Sequence, residues 1–296
     1  MSKPAPIEGL DPHTRLDEAA RRAIAARLAD VRRFEERLTA SDDADAVHDM
    51  RVASRRLRAA LMLFERKRRL NDARDAIEGL GDALGEVREL HVQLAWLDAA
   101  GERADERERP GIQALASERR AKLPRRLERL NAALGRWTGE GVVTVEEAVA
   151  TLELRGRLGG RRVRQRLSER LKNVARRLDA AAESPDARTA HRLRIGAKKL
   201  RYLAELCQPA FPSEMEALLD RLQALQETLG NLHDSDVHIP IIEKFLVRAD
   251  GAAQPGALAL LRDEMARRDR LSQELLGELH EFQEQAVLEQ LRDAVC

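Results

Sequence analysis

Two stretches of this chain place a histidine ahead of basic residues at the same four intervals. Residues 47–61 read VHDMRVASRRLRAAL and residues 190–204 read AHRLRIGAKKLRYLA. The sets are His48, Arg51, Arg55, Arg56 and Arg58, then His191, Arg194, Lys198, Lys199 and Arg201. On a helix turning about 100° per residue, offsets of 0, 3, 7 and 10 fall within roughly 80°. Each set therefore makes one cationic stripe, with Arg56 and Lys199 about 80° to the other side of the histidine. Like charges stacked along a face destabilise a helix, so the pattern calls for an anion. Arg and Lys bind phosphate by charge, and Arg adds a fork of donors. A stripe about 15 Å long could follow several successive phosphates. Either histidine can donate a hydrogen bond to phosphate as well. Arg162, Arg166 and Arg170, spaced four apart on the preceding helix, extend the basic surface; Arg22 and Arg33 are lesser candidates on the first helix. The competing reading is a solvated charged face, but Asp49 and Glu65 are the only carboxylates between His48 and Arg69.

Helices must carry these stripes. Leu, Ala, Arg and Glu dominate the 296 residues, and aromatic residues make up only 3%, a balance that favours helices over sheets. Apolar spacing predicts helices over 16–38, 46–69, 73–97, 112–137, 161–182, 187–207, 214–232 and 257–294. Asp45 is a candidate N-cap, and Met50, Leu57, Leu61 and Phe64 should form the buried face opposite His48 and Arg55. The glycine-rich segment 139–160, with its β-branched run Val142–Val145, reads as a connection. The pattern then restarts. Leu84-Gly85 and the residues to Val92 match Leu229-Gly230 and the residues to Val237. The expectation is an all-α chain of two tandem four-helix bundles, 14–138 and 161–296, related by an internal repeat with pseudo-twofold symmetry around a basic groove or channel.

Charge is unevenly placed. The net charge is +1, yet residues 155–201 carry sixteen Lys/Arg against four Asp/Glu, and residues 202–296 carry eight against eighteen. The basic part points to a polyanion. Cys207 and Cys296 offer no disulfide framework, and neither a signal-peptide core nor a membrane span is evident, so a cytoplasmic location is expected.

Two other chemistries fit parts of the pattern. His48-Asp49 and His233-Asp234 are dyads of the kind helical metal-dependent phosphohydrolases use, and His233, Asp234, Asp236 and His238 cluster in sequence. Arg192 replaces the aspartate in the second stripe, however, and the surrounding cations oppose a metal. No Walker loop or Ser-His-Asp set occurs. A nucleic-acid binder would pair cations with stacking aromatics, and Tyr202 is the only aromatic on either stripe. A partner with phosphates and no bases fits better.

The doubled H-x-x-R-x-x-x-[RK]-[RK]-L-R pattern resembles the CHAD family, the conserved histidine α-helical domain, with residues 47–58 (VHDMRVASRRLR) the strongest match. The Leu-Gly segments resemble that family's L-G-x-x-R-D-x-D stretch, with Arg88, Glu89 and His91 in one copy and His233, Asp234 and Asp236 in the other. The resemblance implies two four-helix bundles with a basic surface or channel for inorganic polyphosphate, and an association with polyphosphate granules. It also implies that His48, Arg51, Arg55, Arg56, Arg58, His191, Arg194, Lys198, Lys199 and Arg201 face the ligand. No E-x-E-x-K signature of a fused triphosphatase occurs. The expected function is non-enzymatic polyphosphate binding without cofactor or metal.

Overall fold

The computed structural model describes residues 7–40, 43–66, 68–284 and 287–295. Twelve α-helices follow one another among them. The first six are α1 (Leu16–Arg32), α2 (Glu35–Ala40), α3 (Ala44–Phe64), α4 (Asn71–Arg103), α5 (Arg109–Arg120) and α6 (Leu123–Arg136). Then come α7 (Val142–Ala150), α8 (Arg161–Glu183), α9 (Ala187–Cys207), α10 (Pro212–Leu246), α11 (Gln254–Glu284) and α12 (Val287–Val295). A π-helical turn, Trp137–Gly141, joins α6 to α7. Among the described residues the nearest thing to a strand is one isolated bridge, Arg15 to Arg157.

The two striped helices begin on side-chain caps. Asp43, not Asp45, caps α3, its carboxylate accepting from the backbone N–H groups of Asp45 and Ala46. Asp45 lies inside the first turn, where its charge suits the helix dipole. Asp186 and Thr189 form a capping box at the start of α9. Pro124 explains why the single helix expected over 112–137 is two: proline fits the first turn of α6 but not a helix interior. Val142 and Val145 are helical despite their β-branching because both are buried in the core. The helix expected to stop at residue 232 continues through Pro240 to Leu246. Buried Ser235 and His238 before the proline, and Ile242 and Phe245 after it, hold the chain in line.

One hydrophobic core runs from Leu16 in α1 to Leu291 in α12 and takes side chains from both halves of the chain. Met50, Leu57, Leu61 and Phe64 of α3 and Leu193, Ala197 and Leu200 of α9 are buried in it, each large side chain contributing about 1.5–3 kcal/mol. Cys207 is buried there too, which pushes its thiol up to about 12 and leaves it unreactive; Cys296 lies outside the described residues. α3 packs against α1, α4 and α9, and α9 against α8, α10 and α3. The two stripes thus meet where α3 touches α9. A smaller core joins the far ends of α4 and α10 to α5 and α11, through Leu97, Ile112, Leu115, Ile242, Phe245 and Leu260. There the backbones nearly touch. A Cβ on Gly111 would stand 2.1 Å from the Ala253 carbonyl oxygen, and one on Gly256 would stand 1.9 Å from that of Glu108. Only glycine permits this crossing.

Candidate functional site

Packing of α3 on α9 brings Arg51 and Arg55 beside Arg194 and Lys198. Arg88 of α4 stands close to His48 and Arg51. His233 of α10 faces the same group, its ring 5.2 Å from that of His191. Among the described residues, Arg51, Arg55, Arg194 and Lys198 form no ion pair or side-chain hydrogen bond, and the Nε atoms of Arg51 and Arg194 are buried without an acceptor. Four basic side chains converge from two helices, and the carboxylate that acts on them, Asp234 of α10, lies by Arg194 and Lys198 without forming an ion pair.

Burial and mutual repulsion suppress their charge. Burial first, then Arg194, Arg55 and Arg51, pushes the Lys198 ammonium down to about 6. Burial and the neighbouring Arg55 and Arg194 push the Arg51 guanidinium down to about 10. Burial, Arg194, His191 and Lys198 push His233 down to about 4. His48 is lowered by burial and then by Arg88. At neutral pH the arginines are therefore charged, while Lys198 and His233 are mostly neutral.

Several residues expected to face a ligand are otherwise engaged. Arg56 and Arg201 are 6% exposed. Arg56 donates from Nε to Glu205 at 2.8 Å, and Arg201 pairs with the same carboxylate at 3.6 Å. Glu205 is shared by the two stripes, so these two arginines bolt α3 to α9. Their offsets from the histidines place them at the edges of each stripe, where the packed helices meet. Arg58 pairs with Glu78 of α4 at 2.5 Å; the carboxylate missing along its own helix comes from a neighbour. Arg162 and Arg166 donate to the Glu65 carbonyl at 2.5 and 2.7 Å, and Arg166 also to that of Met62. They satisfy the orphan carbonyls at the end of α3, and Arg166 also lines the cavity formed there. Arg22 and Arg33 are paired with Glu18 and Asp30. Arg170 and Lys199 do line a cavity with Arg55, Arg58, Arg194 and Lys198, of about 440 Å3. His191 is exposed, at the rim.

The dyad residues go separate ways. His233 joins the cations, Asp236 pairs with Arg268 at 2.7 Å, and His238 stacks on Trp96 at 3.8 Å beside buried Glu264. Offsets of 0, 3 and 5 from His233 spread around a helix and cannot converge on one ion. Arg88 and His233, absent from the expected set, occupy matching places in the two Leu-Gly segments, both 145 residues apart like Gly85 and Gly230. That correspondence was the available signal. Glu205 had one too, lying four residues after Arg201.

The family model described as CHAD domain matches residues 22–243. The chain belongs to the CHAD domain family. The crystal structure of the CHAD domain from the plant Ricinus communis is similar to this CHAD chain, with 25% identity and a TM-score of 0.70 over 95% of this chain and 96% of that one. PptA from Streptomyces chartreusis shares the fold at 17% identity, with a TM-score of 0.63 over 91% of this chain and 100% of that one. No curated protein sequence matches. Among the described residues no helix is long and apolar enough to cross a membrane.

Proposed function

We propose that this CHAD protein binds inorganic polyphosphate without transforming it, holding the chain along the cations where α3 meets α9. The observation that carries the reading is the convergence of Arg51, Arg55, Arg194 and Lys198, none of them in an ion pair among the described residues, with Asp234 offsetting only part of the charge at Arg194 and Lys198. Like charges buried together raise the energy of the ligand-free fold, and a polyanion removes that repulsion. Membership of the CHAD family and the doubled histidine stripe support the same ligand, and with it an association with polyphosphate granules. A linear chain of phosphates suits two stripes meeting end to side better than a single phosphate does. The test is titration with orthophosphate, tripolyphosphate and long polyphosphate at two salt concentrations. Long chains should bind at least about tenfold tighter than tripolyphosphate, and affinity should fall steeply with salt as condensed counterions are released. Equal affinities with little salt effect would overturn the reading.

Lys198 gives the binding a pH signature. With the free protein's Lys198 at about 6, a bound polyanion raises that value and the complex takes up a proton. Affinity should therefore fall as pH rises from about 6 toward the bound-state value, and level off below 6, where the lysine is already charged. His233, held down by the same burial and repulsion to about 4, titrates lower. Lys198→Arg should flatten the profile between about pH 6 and 9 and retain affinity at the alkaline end. Superimposable profiles for the variant and the parent protein would remove Lys198 from the binding group.

A further inference from the structure

The cavity between α8, α9 and the C-terminal half of α3 combines two kinds of wall. Arg55, Arg58, Arg194, Lys198 and Lys199 supply cations from α3 and α9, and Arg166 and Arg170 supply two more from α8. Met62, Leu63, Ile195 and Leu203 supply an apolar floor, and two of these, Leu63 and Leu203, are otherwise buried. A bare phosphate chain has nothing apolar to lay on that floor. From α8 come two groups that a phosphate chain also does not need. Glu169 is a carboxylate on the same cavity, and the Asn173 Oδ1 has no hydrogen-bond partner within the protein. Acceptors repel an anion but suit a ring amine. At about 440 Å3 the cavity has the size of a small-molecule site.

We propose that this cavity takes a nucleoside polyphosphate. Its phosphates meet the cations, its base lies over Met62 and Leu203, and the amine of the base is offered to Asn173 and Glu169. The placement of the phosphates rests on the polyanion reading above; the assignment of the base does not. Cations combined with acceptors and an apolar floor in one cavity match the two ends of such a molecule, and they match neither inorganic polyphosphate nor an aliphatic pyrophosphate along their whole length.

Calorimetric titration of the full chain with adenosine triphosphate and with inorganic tripolyphosphate compares ligands with the same number of phosphates. The nucleotide should bind about tenfold tighter, the gain expected from stacking one base on an apolar surface. Met62→Ser and Asn173→Ala should each abolish most of that preference while leaving tripolyphosphate affinity within about twofold. Geranyl pyrophosphate against inorganic pyrophosphate provides the aliphatic arm and should show a smaller gain than the base does. Equal binding of nucleotide and tripolyphosphate, an unchanged preference in both variants, or a larger gain for the geranyl chain would each overturn the proposal. If long polyphosphate binds while the nucleotide preference is absent, only this proposal falls. If adenosine triphosphate binds tightly and long polyphosphate does not, it is the polyphosphate reading that falls.

Discussion

Removing the charges of Arg55 and Arg194 together, as Arg55→Met with Arg194→Met, should weaken binding of long polyphosphate by two to four orders of magnitude. Methionine keeps a long flexible stem and leaves the packing largely intact. Each lost charge-assisted contact is worth about 1.5–3 kcal/mol, and two of them give that range. A control variant, Arg262→Met with Arg270→Met, removes the same formal charge from exposed positions on α11, where screening by salt limits the loss to less than about tenfold. The same site variant should raise the unfolding midpoint of the ligand-free protein. It relieves the repulsion of Arg55 and Arg194 with each other and with Arg51, which exceeds the attraction of Arg194 to Asp234 that is lost. Opposite signs for affinity and stability separate a binding residue from a structural one. Equal affinity losses in the two double variants, or a falling midpoint in the site variant, would contradict the assignment.

Glu205→Gln should have the reverse profile. It keeps the shape of the side chain but removes the one carboxylate shared by Arg56 and Arg201. Both arginines are almost wholly buried, and breaking a buried ion pair by removing one partner typically costs about 3–5 kcal/mol, a large share of the roughly 5–15 kcal/mol that holds a domain folded. Denaturant unfolding measures the loss, with circular dichroism as the readout. Arg56→Met should likewise lower stability while the folded fraction retains its affinity for polyphosphate. Full stability of Glu205→Gln would show that water reaches these arginines and that the ion pair does not hold α3 to α9.

The stripes were legible because helical periodicity is a property of the chain alone. His48, Arg51 and Arg55, and their counterparts Arg194 and Lys198, follow directly from spacing, as do the buried Met50, Leu57 and Leu61 behind them. Spacing says nothing about which neighbouring helix leans on the edge of a stripe. That is why Arg56, beside its stripe, and Arg201, at the edge of its own, read as ligand-facing cations although α3 and α9 share Glu205 between them. The contacts of Arg162 and Arg166 were hidden for a related reason: their acceptors are the carbonyls at the end of α3, and a carbonyl leaves no mark in a sequence. Helix boundaries failed where tertiary contact outweighed local preference. Buried residues on both sides carry α10 past Pro240, while Pro124, a local signal, divides α5 from α6.

The crossing of α5 and α11 at Gly111 and Gly256 has a bearing on inheritance. α5 comes from the first half of the chain and α11 from the second, and each covers part of the other's apolar face in the smaller core. The start of α1 is likewise tied to the segment before α8, with the Leu16 N–H donating to the Gly156 carbonyl and the Leu158 N–H to that of Thr14. Each half therefore completes the other at two remote places. A gene fragment encoding either half would leave α5 or α11 with part of its apolar face uncovered, so the halves cannot be shuffled among proteins as separate modules. Whatever duplication the sequence remembers, the two parts now have to be passed on, lengthened or lost together.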